Sequence, residues 1–217
     1  MKKLFLCLIA AISVFNLNSC KEACQSCHIQ GVIGSDQYEG KRIFLVPLYG
    51  PATAETVDSI EIKDRKFEFT TDTMQMYKIL LDYHYRMGIQ PLLVVGEPGE
   101  VKVVIDSISH AGGTPQNDSL EQWKVRTEIH NKRLAELHGM RKVMEQKGNT
   151  PQALALKEHS DSIHLAYKNM TRKMAANLKE GVLHDFLAGL YPTTYKKKLP
   201  DGRIVTVNAD THEEIAE

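Results

Sequence analysis

The first residues in this chain that could do chemistry are two closely spaced thiols, in Cys24-Gln25-Ser26-Cys27-His28. A Cys-x-x-Cys pair can cycle between dithiol and disulfide, the same pair followed by His is the pattern that carries a c-type haem, and two close thiols can close a small local disulfide. Haem would need His28 as an axial ligand in a helical turn, yet His28-Ile29-Gln30-Gly31-Val32-Ile33 alternates like the start of a strand. A catalytic dithiol sits at a helix N-terminus or beside a cation, whereas this pair lies a few residues after Cys20 at the start of the chain. A local disulfide or two idle thiols is therefore the expectation, with a redox pair at Cys24 and Cys27 as the alternative. A second cluster is His138 and His159, about equally far from a turn near residue 149, with Glu158 and Asp161 close by. Two imidazoles and a carboxylate are a metal-ligand set. Both histidines lie beside an apolar stripe, however, and no His-Glu-x-x-His motif or i, i+4 His pair occurs, so no metal and no other cofactor is expected. Met140, Met144, Met170 and Met174 read as core packing before they read as an adaptable binding groove. Lys196-Lys197-Lys198 reads as a solvated surface run without function. No Ser/His/Asp, Gly-rich phosphate-loop or paired-carboxylate motif stands out, so the expectation is a non-enzyme.

Residues 1–20 carry an address. Lys2 and Lys3 form a basic start and Leu4 to Phe15 a short apolar core, too short for a bilayer span of about 20 residues. Leu17-Asn18-Ser19-Cys20 then resembles a bacterial lipobox, which implies that Cys20 becomes the lipidated first residue. Several acyl chains anchor a protein firmly, so the expectation is an extracytoplasmic cell-envelope protein tethered to the membrane through an N-terminal lipid. The full chain has 27 Lys plus Arg against 27 Asp plus Glu, and without residues 1–20 the balance is about −2. Neither figure recruits nucleic acid.

The rest of the chain must position these groups. At 217 residues, with 42% hydrophobic and 25% charged residues, it has an ordinary globular composition. After a tether at 21–27, residues 28–112 hold seven or eight short strand-like runs at roughly ten-residue spacing, which predicts an antiparallel β-sandwich or open barrel. Val57-Asp58-Ser59-Ile60-Glu61-Ile62 and Phe67-Glu68-Phe69 alternate on either side of Lys63-Asp64-Arg65-Lys66, which predicts a hairpin. Leu92 to Val95 and Val101 to Ile105 are joined by Gly96-Glu97-Pro98-Gly99.

Gly31, Asp58-Ser59 leading to Lys66-Phe67-Glu68-Phe69, Glu97-Pro98-Gly99-Glu100, and Gly113-Thr114-Pro115-Gln116-Asn117-Asp118-Ser119-Leu120 together resemble one family. It is the uncharacterised β-domain (domain of unknown function 4369) found ahead of the thioredoxin-like domain in thiol-disulfide interchange lipoproteins of Bacteroidetes. The similarity covers about residues 28–125 and implies no catalytic residue, because redox activity in that family resides in a downstream Trp-Cys-x-x-Cys motif. Here Trp123 is the only Trp and no Cys follows residue 27. The chain therefore resembles the N-terminal half standing alone, and a separate thioredoxin-like protein is the partner that the resemblance implies.

Residues 118–190 predict a long antiparallel helical hairpin. Asp118-Ser119-Leu120-Glu121 has the capping-box pattern, which predicts a helix start at 118. Positions 120, 123, 127, 130, 134, 137, 141 and 144 form one moderately apolar stripe, and Leu156, Ser160, Ile163, Tyr167, Met170 and Met174 form the facing one. Gly148-Asn149-Thr150-Pro151 separates them, with Thr150 expected as N-cap and Pro151 at the first helical position. Each helix is expected to approach thirty residues, and the second to continue past Gly181. A stripe this long also offers a face to a second copy of the chain. Residues 191–217 form a tail in which two strand-like runs flank Pro200-Asp201-Gly202. The fold expectation is thus α+β, and the functional one is a lipid-anchored binding or scaffolding module, with an accessory to thiol-disulfide exchange as the alternative.

Overall fold

A computed structural model describes residues 26–81 and 91–215. Eight strands come first: β1 (Cys27–Ile33), β2 (Arg42–Pro47), β3 (Asp58–Glu61), β4 (Lys66–Thr71), β5 (Met76–Leu80), β6 (Leu92–Val95), β7 (Gly99–Ile105) and β8 (His110–Gly112). Three helices follow, α1 (Pro115–Gln146), α2 (Thr150–Leu178) and α3 (Val182–Leu190), and then a terminal hairpin, β9 (Thr194–Lys198) with β10 (Ile204–Asn208). The fold is α+β, as the patterning predicts, and the first eight strands divide into two four-stranded sheets with no closed barrel. One sheet has the order β4-β1-β7-β8 and the other β3-β2-β5-β6.

The two sheets face each other across a core that follows from the period-two alternation. Ile29, Phe69, Val101 and Val103 point inward from the first sheet, and Ile43, Leu45, Ile79 and Val94 from the second. Pairing is antiparallel except between β1 and β7, which run parallel from Cys27↔Gly99 to Ile33↔Ile105. The chain reaches β7 by crossing from β6 in the opposite sheet, so no hairpin constrains its direction. A similar crossing changes the expected β3–β4 hairpin. The tight turn forms, with Asp64 and Arg65 both left-handed at φ 52° and 58°, and the Glu39 carboxylate accepts both of their amides at 2.8 and 3.0 Å. The strands it joins then separate, β3 pairing with β2 and β4 with β1.

Sheet β3-β2-β5-β6 is buried on both faces at its β6 end. Leu92 and Val94 enter the inter-sheet core, while Leu93 and Val95 face the other way, onto a second core with Met76, Leu120, Trp123, Leu183, Phe186 and Leu187. That double burial explains the uninterrupted Leu92-Leu93-Val94-Val95 run. Trp123 and Phe186 meet edge to face, with ring centroids 5.5 Å apart.

Both stripes predicted for the helical hairpin are the faces that pack. Leu120, Trp123, His130 and Leu137 of α1 are buried and Thr127, Leu134, Arg141 and Met144 half-buried; on α2, Ser160 and Tyr167 are buried and Leu156, Ile163, Met170 and Met174 half-buried. The helix ends differ from expectation. Helix α1 starts at Pro115 after Thr114, three residues before the predicted start, because Pro115 is preorganised for the first helical position. Asn149, not Thr150, is the N-cap of α2, its Oδ1 accepting the Gln152 amide at 3.3 Å. Helix α2 stops at Leu178, where Lys179 turns left-handed at φ 63°, so the residues beyond Gly181 form a separate helix instead of an extension. Among the described residues no helix is long and apolar enough to cross a membrane.

Candidate functional site

Polar side chains converge in two places. The first is the junction where α1 closes the open side of the sandwich. Strands β6 and β8 are edge strands of different sheets, and an edge presents unpaired backbone groups. Asn117 treats β6 as a neighbouring strand would: its Oδ1 accepts from the Val95 amide and its Nδ2 donates to the Val95 carbonyl, both at 2.9 Å. One turn on, Glu121 accepts from the amide of Ala111 in β8 at 3.1 Å, and Asp118 accepts from the Gly113 amide at 2.7 Å. Asp118 and Glu121, the pair of the predicted capping box, thus bond to the chain leading into the helix.

The cap itself comes from elsewhere. Glu97, in the β6–β7 turn and only 7% exposed, accepts from the Gln116 and Asn117 amides at 2.7 and 3.2 Å and from Gln116 Nε2 at 3.0 Å. A buried carboxylate is held there by hydrogen-bond donors and by the positive end of α1. Gln116 Oε1 in turn accepts from the Leu183 amide at 2.8 Å, so one side chain ties the start of α1 to the first turn of α3. Gly113 has φ 106°, and a Cβ there would lie 2.7 Å from the Glu100 carbonyl oxygen, so the close approach of β7 to this turn requires glycine.

The second place is inside the helical hairpin. His130 of α1 stacks on Tyr167 of α2, ring centroids 4.0 Å apart and planes 9° from parallel. Its Nε2 lies 3.4 Å from His164 Nδ1, and Thr127 Oγ1 lies 2.7 Å from the Tyr167 hydroxyl. Tyr191, just past α3, meets His164 and Tyr167 edge-on. Burial first, and then the neighbouring His164, push the His130 pKa below its ordinary value, while burial and Tyr167 push Tyr191 up. His130 Nδ1 is buried without a hydrogen-bond partner. Burial beside a second imidazole thus favours the neutral form of His130. Farther along α2, Arg172 donates to the Tyr191 and Pro192 carbonyls at 2.9 and 2.8 Å. Arg172 also forks onto Asp210, at 2.6 and 3.2 Å, and Lys168 pairs with the same carboxylate. Those two cations hold the Asp210 pKa down to about 2 and fasten the terminal hairpin to α2.

The residues singled out from sequence fall differently. Cys27 is the first residue of β1, 2% exposed in the inter-sheet core; Cys20 and Cys24 lie outside the described residues. His138 and His159 are not brought together: both are exposed, and His138 Nε2 faces Ser160 Oγ at 3.4 Å. Asp161 instead pairs with Lys157 on its own helix, at 2.6 Å. Of the methionines, Met174 packs on the second core and Met140 is 48% exposed. Lys196, Lys197 and Lys198 are exposed on β9. The Glu97–Asn117 junction and the His130–His164 pair escaped the sequence reading. Each joins elements that are remote in the chain; the signals in the sequence were the Glu97-Pro98-Gly99-Glu100 and Gly113 to Leu120 segments of the family resemblance and the place of His130 on the α1 stripe.

Fold and junction together define a class of protein: two packed sheets sealed along one side by the start of a helix, and carrying a helical hairpin. Residues 27–120 match the family model of a domain of unknown function (DUF4369). The match runs from β1 into the first turns of α1 and includes Glu97, Gly113, Gln116, Asn117 and Asp118 of the junction, while Glu121 lies just beyond it. No curated protein and no solved structure matches the chain.

Proposed function

We propose that this chain is a lipid-anchored, extracytoplasmic cell-envelope protein that works as a binding or scaffolding module and not as an enzyme. The anchoring half of the reading rests on the basic start, the short apolar core and Leu17-Asn18-Ser19-Cys20. The observation that carries the binding half is the use made of buried polar side chains in the matched domain. Glu97, Thr114 and Asn117 are buried there, and their hydrogen bonds go to backbone amides and carbonyls, to one another, or to the Gln116 side chain across the junction. Such groups build a rigid scaffold, which leaves function to the surface it presents.

A second reading has its own motive. Cys24 and Cys27 have dithiol spacing, and the resemblance to thiol-disulfide interchange lipoproteins of Bacteroidetes makes a thioredoxin-like envelope protein the partner. The burial of Cys27 favours a structural pair over a reactive one, since a reactive thiolate needs access and a nearby positive charge. One set of cells tests both. The Cys20→Ala variant is expected to lose acylation and to leave the membrane fraction; unchanged processing and fractionation would refute the anchor. The purified mature protein is expected not to reduce insulin disulfides, and turnover abolished by Cys24→Ser/Cys27→Ser would overturn the non-enzyme reading.

A further inference from the structure

Helix α1 carries a second stripe that the single chain does not bury. Val125, Ile129, Met140 and Val143 are 49, 63, 48 and 42% exposed, and with Lys132 and Glu136, also exposed, they follow a three-four spacing. At 3.6 residues per turn the six positions fall within one face, well away from the Leu120–Trp123–His130–Leu137 face that packs on α2 and the sheet. Single exposed apolar residues are ordinary, but here two pairs, Val125 with Ile129 and Met140 with Val143, share one face on either side of Lys132 and Glu136.

The order of residues in this stripe is close to a palindrome. Laid antiparallel on itself about a two-fold axis near Leu134, the stripe sets Val125 against Val143 of the second copy and Lys132 against Glu136 of the second copy. Ile129 falls opposite Gly139 of the second copy and Met140 opposite Glu128. A two-fold interface needs this self-complementarity, in which the contact i to j recurs as j to i. Gly139 supports the same arrangement independently. A mid-helix glycine costs about 1 kcal/mol relative to alanine, and within one chain nothing lies within 4 Å of the Cβ it lacks. Facing Ile129 of a second copy, that missing side chain is the hole for a large apolar knob. Beside Val125 the stripe runs into a groove of about 440 Å³ lined by His110, Gln122, Val125 and Arg126, and the two-fold brings the far end of the second copy's α1 over it.

We propose that the outer face of α1 is a homodimer interface, in which two copies pair antiparallel through Val125, Ile129, Lys132, Glu136, Gly139, Met140 and Val143. This names a partner for the binding module proposed above and rests on that reading. A chain that failed to dimerise would still leave membrane anchoring to be scored by the Cys20→Ala experiment and disulfide reduction by the insulin assay. Contact along about 27 Å of helix is short, so association depends on concentration, and a membrane tether raises the effective concentration.

The test is sedimentation equilibrium of the full chain in density-matched detergent, with helix content checked by circular dichroism. Wild type is expected to show a concentration-dependent monomer–dimer equilibrium. Val125→Lys/Ile129→Lys is expected to raise the dimer Kd at least tenfold with helix content unchanged. Lys132→Glu alone, or Glu136→Lys alone, sets like charges opposite each other and is expected to weaken the dimer. An equal mixture of those two variants restores opposite charges at both contacts and is expected to form heterodimers, a rescue that no effect within one chain would produce. Wild type monomeric at every concentration, a dimer indifferent to Val125→Lys/Ile129→Lys, or a mixture no more associated than its components would each overturn the proposal.

Discussion

Gly31 shows how much one missing methyl group can decide. It sits in β1 opposite Phe67 of β4, and a Cβ built on it would lie only 1.9 Å from Phe67 Cζ. Phe67 is 5% exposed and meets Phe69 at a centroid distance of 5.9 Å, so the ring has little room to swing away. Overfilling a packed core in this way costs about 1–3 kcal/mol. Gly31→Ala is therefore expected to lower the thermal midpoint by an amount corresponding to that loss. Phe67→Leu in the same chain should recover part of it, so that the double variant is more stable than the sum of the two single changes. Strict additivity in thermal melts would mean that the ring and the glycine do not share the space. The sequence shows Gly31 in a strand-like run, where glycine hints at close packing, but it does not show that Phe67 supplies the covering ring. That fact depends on the register Gly31↔Phe67.

Among elements, the terminal hairpin depends most plainly on electrostatics. Two strands alone are marginal in water, and β9 is exposed along its length. On the other strand Val207 is buried, and the polar hold on the rest of the molecule is the Asp210 carboxylate between Arg172 and Lys168, together with the Arg172 bonds to Tyr191 and Pro192. The folded-state pKa of Asp210, about 2, lies below the ordinary 3.8, so the unfolded or undocked chain takes up its proton first. The contribution is fully present above about pH 4 and disappears as the pH falls through about 2. Asp210→Asn mimics the protonated state at neutral pH. Its expected signature is faster cleavage by thermolysin between residues 191 and 210, with cleavage of the sheets unchanged. Equal cleavage of variant and wild type would show that the carboxylate does not fasten the hairpin.

At the scale of the whole molecule, the junction ties sheets and helices together and is expected to make them unfold as one cooperative body. Asn117 pairs with Val95, Glu97 caps α1, and Gln116 reaches Leu183, while Trp123 lies in the second core between the β6 end of the sheet and α3. Trp123 fluorescence reports on that junction, and far-ultraviolet circular dichroism is dominated by the long helices. Both probes are expected to give one coincident urea transition. Asn117→Leu leaves the buried amide and carbonyl of Val95 without partners and should shift both midpoints together, by about 2 kcal/mol. Separated transitions would mean that the hairpin and the sandwich fold independently.

How much of this was legible beforehand follows the range of the interaction. The alternation in β1, β4 and β7, the stripes of α1 and α2, and the turn at Gly148 to Pro151 are local periodicities. A strand or helix repeats them wherever it sits, so the α+β class and the packing faces could be read directly. Helix ends were read less well: Asp118 and Glu121 have the capping pattern, but the helix begins at Pro115 because Glu97, eighteen residues before it, supplies the cap. The parallel pairing of β1 with β7, the exchange of sheets at Asp64-Arg65, the sealing of two sheet edges by one helical turn, and the stacking of His130 on Tyr167 have no local signature. By itself the sequence determined which residues turn inward. Only the tertiary structure decided what they meet, because pairing partners are selected by the chain's crossings in space and by the need to satisfy every buried polar group.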